Sequence, residues 1–159
     1  MTKIDLSHVI NSVVEDFNND LSNSNKNIKI NVNQTNLNGS KLNVLGVESK
    51  LEQIIANILD NAVSFSPTNS QIAILCNIKK NQVQLIFEDE GPGFDKNNIN
   101  KVFNRFYSNR PEKFGEHSGL GLNIVKNIIE LHGGSIEAPN KDGLKKGARV
   151  KVFLPVHNN

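Results

Sequence analysis

The chain has 159 residues, with 18 Lys and Arg against 16 Asp and Glu and a net charge of +2. That length suits one domain with a real core, and mixed charge without a basic stripe among aromatics argues against a dedicated nucleic-acid binder, so no direct nucleic-acid contact is expected. A single cysteine excludes an intramolecular disulfide, no apolar run nears the roughly 18 residues of a membrane span, and no signal peptide is expected, so a reducing, cytosolic setting is expected.

In chain order, Ile4 to Leu21 places Leu6, Val9, Ile10, Val13, Val14 and Phe17 at helical spacing. A polar loop follows. "IKINVN" (28–33) alternates and predicts a strand, and "KLNVLG" (41–46) a second short one. Val47 to Phe65 is the clearest helix, with Leu51, Ile54, Ile55, Ile58, Leu59 and Ala62 recurring every three or four residues. Ser66-Pro67 ends it, because proline cannot continue a helix. Gln71–Lys79 and Gln82–Asp89 predict strands joined by a tight Lys80-Asn81 turn. Cys76 lies in step with Ile72, Ile74 and Ile78 and reads as a core residue.

Residues 90–118 show weak periodicity, with a short helix expected near Asn97–Phe103. Loops this long are uncommon unless they are functional or disordered. Leu120 to His132 predicts another helix, with Leu120, Ile124, Val125, Ile128 and Leu131 on one face. Gly133-Gly134 stops it, and His132 suits a helix C-cap with a favourable dipole contact. "SIEA" (135–138) and "ARVKVFLP" (148–155) predict a last strand pair. Hairpins with helices between them indicate an α+β two-layer sandwich, and the regular alternation of a doubly wound sheet is missing.

Four features carry chemistry. In "QVQLIFED", Val83, Leu85 and Phe87 alternate with polar residues, which places Asp89 on the inward face. A buried carboxylate needs donors. Either backbone N–H groups of the turn cap it, or a ligand does, with Gly91 and Gly93 leaving room for close approach. On the helix 47–65, Asn61 lies about 60° and Asn57 about 100° to the same side of Ile58, one turn apart on the shoulder of the apolar face. They form either a solvated pair or neutral oxygen donors for a hard cation such as Mg²⁺. Gly119 and Gly121 precede an amphipathic helix, whose N-terminal N–H groups suit an anion, though glycines also simply start helices. The long loop carries Arg105, Arg110 and Lys113 among aromatics, which suits either phosphate clamping or a solvated loop.

Taken in order, "NILDNAVSFSP", "DEGPGF", "VFNRFY", "SGLGLNIVKNIIELHGG" and "GARVKVFLP" resemble the catalytic ATP-binding domain of bacterial sensor histidine kinases, over nearly the whole chain. The resemblance implies a Bergerat-type sandwich: a mixed, mostly antiparallel sheet covered on one face by about three helices, with a long ATP lid near residues 95–118. It implies that residues 1–159 form a single catalytic domain that uses ATP and Mg²⁺. Asn61 would ligate the metal. Asn57 and Arg105 would act in catalysis, and Asp89 would accept from the adenine amine, the ligand being its missing donor. Asn57, Phe65, Gly91, Gly93, Arg110, Lys113, Ser118, Gly119, Leu120, Gly121 and Leu122 would line the rest of the nucleotide site.

Partners implied by the resemblance are the histidine-containing dimerisation domain of the same kinase and a response regulator. "SFSP" and "FYSNRPEKFGEHSGLGL" look like a subgroup of membrane-bound sensors. "KIDLSHVINSVVEDF" looks like the segment that follows the dimerisation helices. His8 lacks the phosphoacceptor context. The chain is therefore expected to be a cytoplasmic piece of a membrane-anchored, homodimeric kinase, without its sensor and phosphoacceptor domains. Two departures stand out. Ser64 replaces the family's usual Lys or Arg, and Phe65 a frequent Tyr. ATPases of the same fold generally carry a Glu at the position of Asn57, and an amide cannot take a proton from water, which favours a kinase. A nucleotide-binding module of a degenerate kinase is the third reading.

Overall fold

The computed structural model describes residues 1–22, 24–34, 37, 39–91, 120–138 and 147–158, with Leu120 described by its backbone alone. The centre of the sheet is the hairpin of β4 (Gln71–Lys79) and β5 (Gln82–Glu88). Lys80 and Asn81 both take positive φ, 52° and 62°, the paired left-handed geometry that matches the twist of a two-residue hairpin. Its alternation sets the register. Ile74 sits opposite Phe87 and Cys76 opposite Leu85, and all four are buried.

Around this hairpin the strands run β2-β4-β5-β7-β6. β2 (Lys29–Asn33) pairs parallel with β4, while β7 (Arg149–Pro155) pairs antiparallel with β5 and with β6 (Ser135–Glu137). The apolar row continues across β7, where Val150 faces Phe87 and Val152 faces Leu85. Among the described residues three helices pack with the sheet around one core: α1 (Leu6–Leu21), α2 (Glu48–Phe65) and α3 (Leu120–Leu131). The α+β sandwich with a mostly antiparallel mixed sheet is thus observed. The one parallel pair among the described residues, β2-β4, is reached through a crossover that contains β3 (Asn43–Gly46) and α2.

Two sequence expectations are corrected. The N-terminal helix begins at Leu6, because Thr2–Asp5 forms β1, antiparallel to β3 in a separate two-stranded ribbon. Asp5 then caps α1, its carboxylate accepting from the Ser7 N–H. On α3, Leu131 is 77% exposed, while Leu122 and Ile129 join Val125 and Ile128 in the core. That helix is apolar on several faces, so periodicity alone could not choose the buried one. The expected helix near 97–103 lies outside the described residues. Cys76 is buried as expected, and burial pushes its thiol up to about 11, so it is inert in the folded chain.

Candidate functional site

β5 delivers Asp89 as its alternation requires. The side chain is 3% exposed. Its Oδ1 accepts from the Gly91 N–H at 2.9 Å and from the Ala148 N–H at 3.1 Å, and the Asp89 N–H donates to the Ala148 carbonyl at 3.1 Å. The carboxylate therefore closes the turn at Gly91 and ends the β5-β7 ladder. The expectation that a ligand supplies the missing donor is corrected in part, since two donors are backbone N–H groups. A carboxylate has about four acceptor sites, so capping does not exhaust it. On the other face of the sheet, Arg149 donates through Nε and Nη2 to Glu88 Oε2, at 2.9 and 2.8 Å. This ion pair fastens the start of β7 beside Asp89.

α2 carries the amide pair. Ile58 and Leu59 are buried, Asp60 is exposed, and Asn57 and Asn61 are half-buried on the shoulder. Neither amide has a side-chain hydrogen bond to another described residue. Among the described residues no three of His, Cys, Asp and Glu come together as a metal cage. A hard cation here would rest on an amide oxygen, waters and ligand phosphates, which is the donor set Mg²⁺ commonly takes, and Asn61 fits it.

The end of α2 holds a residue that pattern reading missed. Lys26 Nζ donates to the carbonyls of Val63, Ser64 and Ser66 at 3.1, 3.2 and 3.2 Å. It sits at the negative end of the helix dipole and satisfies carbonyls the helix leaves open. The Ser64 hydroxyl turns back to the Asp60 carbonyl at 2.8 Å. The side chain at that position thus bonds its own helix, and a cation from 38 residues away occupies the turn. Sequence carries no sign of this, since Lys26 lies in a featureless polar loop. Phe65 is buried yet stands outside the contiguous apolar core.

α3 brings the glycine-rich turn to the same domain. Its backbone is helical from Leu120, and the Leu122 side chain lies in the core, which leaves only its backbone for a ligand. Gly121 is exposed, and a Cβ built there meets nothing within 4 Å. Among the described residues packing therefore gives no reason for a glycine, whereas close approach of an anion would. Gly121→Ala is expected to hold or raise the melting temperature, by up to about 0.5–1 kcal/mol of stability, while weakening triphosphate binding. Unchanged affinity in a titration of that variant would place the phosphates elsewhere. Gly93, Arg105, Arg110, Lys113, Ser118, Gly119 and the lid segment 95–118 lie outside the described residues.

The far end of α3 is closed by a Schellman motif. The Gly134 N–H bonds the Ile129 carbonyl and the Gly133 N–H the Glu130 carbonyl, with Gly133 at φ 77°. His132 stands at the C-cap, as expected. Its Nδ1 lies 2.8 Å from the Ile128 carbonyl, and its Nε2 lies 3.2 Å from the backbone N of Val47, the N-cap of α2. A carbonyl can only accept and an N–H can only donate, so the ring is the neutral Nδ1–H tautomer. Its favourable contact with the helix end is thus a neutral hydrogen bond.

A buried acid just after β5, half-buried amides on α2 and an exposed glycine in the first turn of α3 thus belong to one α+β domain. The histidine kinase-, DNA gyrase B- and HSP90-like ATPase family matches residues 46–158, and the chain belongs to it. It is 42% identical over 118 residues to the sensor protein ChvG of Rhizobium meliloti, a match that covers 70% of this chain and 20% of that protein. The chain thus spans about a fifth of that relative's length. The mycobacterial sensor histidine kinase MprB superposes with a TM-score of 0.83 at 26% identity, covering 96% of this chain and 97% of that one. Full-length ShkA in complex with AMPPNP gives 0.80 at 22% identity, over 99% of this chain and 31% of that one. Among the described residues, no helix is long and apolar enough to cross a membrane.

Proposed function

We propose that the chain is the catalytic domain of a sensor kinase, binding Mg²⁺–ATP and transferring the γ-phosphoryl group to a histidine on that kinase's dimerisation domain. The observation that carries this reading is the presence, in one domain, of a buried, turn-closing Asp89 just after β5 and of half-buried Asn57 and Asn61 on α2, whose amides have no side-chain hydrogen bond to another described residue. Asp89 would read the adenine amine, Gly91 would leave space for the purine, and Phe65 would contact the ring. Asn61 would hold Mg²⁺, which when bound would neutralise phosphate charge. Asn57 would orient groups beside the phosphates, and the N-terminus of α3 with Gly119 and Gly121 would receive them. Residues 95–118 would form the lid and bring Arg105, Arg110 and Lys113 to the phosphates. The dimerisation domain, a response regulator, a homodimeric assembly and a membrane anchor belong to the whole protein in this reading. Asn57 in place of a carboxylate supports phosphotransfer over water activation.

The test supplies radiolabelled ATP and Mg²⁺ with a separately expressed dimerisation domain. Acid-labile label is expected on that domain and none on the chain. Steady hydrolysis without such label would favour the ATPase reading. Asn61→Ala, which opens little core volume, should fold normally and bind ATP about tenfold more weakly in Mg²⁺, with its affinity no longer dependent on the metal. An unaltered metal dependence assigns the ion elsewhere.

A further inference from the structure

We propose that His132 is a positioning residue for the nucleotide site: it sets α3 against α2 along the helix axis, and so places the N-terminal turn at Leu120–Gly121 relative to Asn57 and Asn61. The proposal rests on the nucleotide reading above. α2 and α3 pack through apolar faces, and apolar contact is non-directional and lets helices slide. Hydrogen bonds are directional. The imidazole bonds its own helix end through Nδ1 and the α2 N-cap through Nε2, across 85 residues of sequence. Val47 has no side-chain cap, and its N–H is held by this ring. α3 has 12 residues and is about 18 Å long, so a shift at its C-terminus carries to its N-terminus.

The neighbouring chain is shaped for the ring. A Cβ at Gly46 would stand 2.8 Å from His132 Cδ2 and 3.0 Å from Nε2. Gly46, on β3, is thus the gap into which the imidazole fits. Asp89 follows β5 and is bonded to Ala148, just before β7, at the other end of the site. The phosphate end should therefore depend on His132, and the adenine end should not.

The experiment titrates the 159-residue chain with Mg²⁺–ATP and, separately, with adenosine. In His132→Asn the amide can still donate to Ile128 but falls short of Val47. ATP affinity should drop about tenfold, the scale of one directed hydrogen bond, with adenosine affinity unchanged. His132→Gln, whose amide oxygen reaches further, should restore most of the loss. Gly46→Ala, which crowds the ring, should act like His132→Asn, and the two together should lose no more than either alone. Equal losses for ATP and adenosine overturn the proposal, as does a lower melting temperature with both affinities unchanged. A wild-type chain that binds neither ligand overturns the nucleotide reading itself.

Discussion

Asp89→Asn is expected to lower ATP affinity roughly ten- to hundredfold while leaving most of the stability in place. A hydrogen bond to a charged acceptor contributes about 1.5–3 kcal/mol, which corresponds to that range. The asparagine oxygen can still accept from Gly91 and Ala148, so the turn survives. Its NH₂ group must then point where the second carboxylate oxygen was, and a donor there meets the donating amine of adenine. GTP presents a carbonyl at the same place. If Asp89 reads the base, the wild-type carboxylate would repel it and the variant amide would bond it, so the preference for ATP over GTP should shrink or invert. Asp89→Ala separates the two duties of the residue. It leaves the buried Gly91 and Ala148 N–H groups without their acceptor, at about 1–3 kcal/mol each, so it should melt well below Asp89→Asn. Melting temperatures and both nucleotide affinities check this. An Asp89→Asn variant with lower stability and an unchanged ATP-to-GTP ratio would confine Asp89 to capping.

Gly134→Ala is expected to be the most damaging methyl group in the described part of the chain. A Cβ at Gly134 would collide with the Phe153 carbonyl oxygen and lie 2.9 Å from Leu154 Cδ2. The carbonyl belongs to β7, which is paired on both edges, to β5 and to β6. Neither strand nor helix can move away cheaply, and overpacking of this kind costs about 3 kcal/mol. Gly133 has the positive φ, yet a Cβ there would meet only Pro155 Cγ, at 3.6 Å. Gly133→Ala should therefore cost only the left-handed backbone penalty, about 1–2 kcal/mol. Denaturant midpoints with unchanged slopes should rank Gly134→Ala below Gly133→Ala. The reverse order would show that backbone conformation, more than the close approach of α3 to β7, governs this corner.

Much of the fold was legible because its period is local. Alternation placed Val83, Leu85, Phe87 and Asp89 on one face without any knowledge of β7, since successive side chains of a strand point to opposite faces. Three- and four-residue spacing placed Asn57 and Asn61 on the shoulder of α2, and Gly133-Gly134 marked the end of α3. Where several faces of a helix are apolar the same reasoning failed, and Leu131 was assigned inward although the core takes Leu122 and Ile129. β1 was hidden because four residues form a strand only through a partner, here β3, some 40 residues away.

The sequence by itself determined the order of the elements after β1, the inward direction of Asp89, the place of Asn57 and Asn61 on the shoulder of α2 and the glycines that close α3. All of these follow from spacing along the chain or from the conformational freedom of single residues. Tertiary structure alone decided which donors meet Asp89, that Lys26 closes the carbonyl end of α2, and that His132 ties α3 to the start of α2. Each of those is a directional contact between polar groups far apart in sequence. No periodicity announces such contacts, because a hydrogen bond depends on where two backbones come to lie, which packing of the whole core settles.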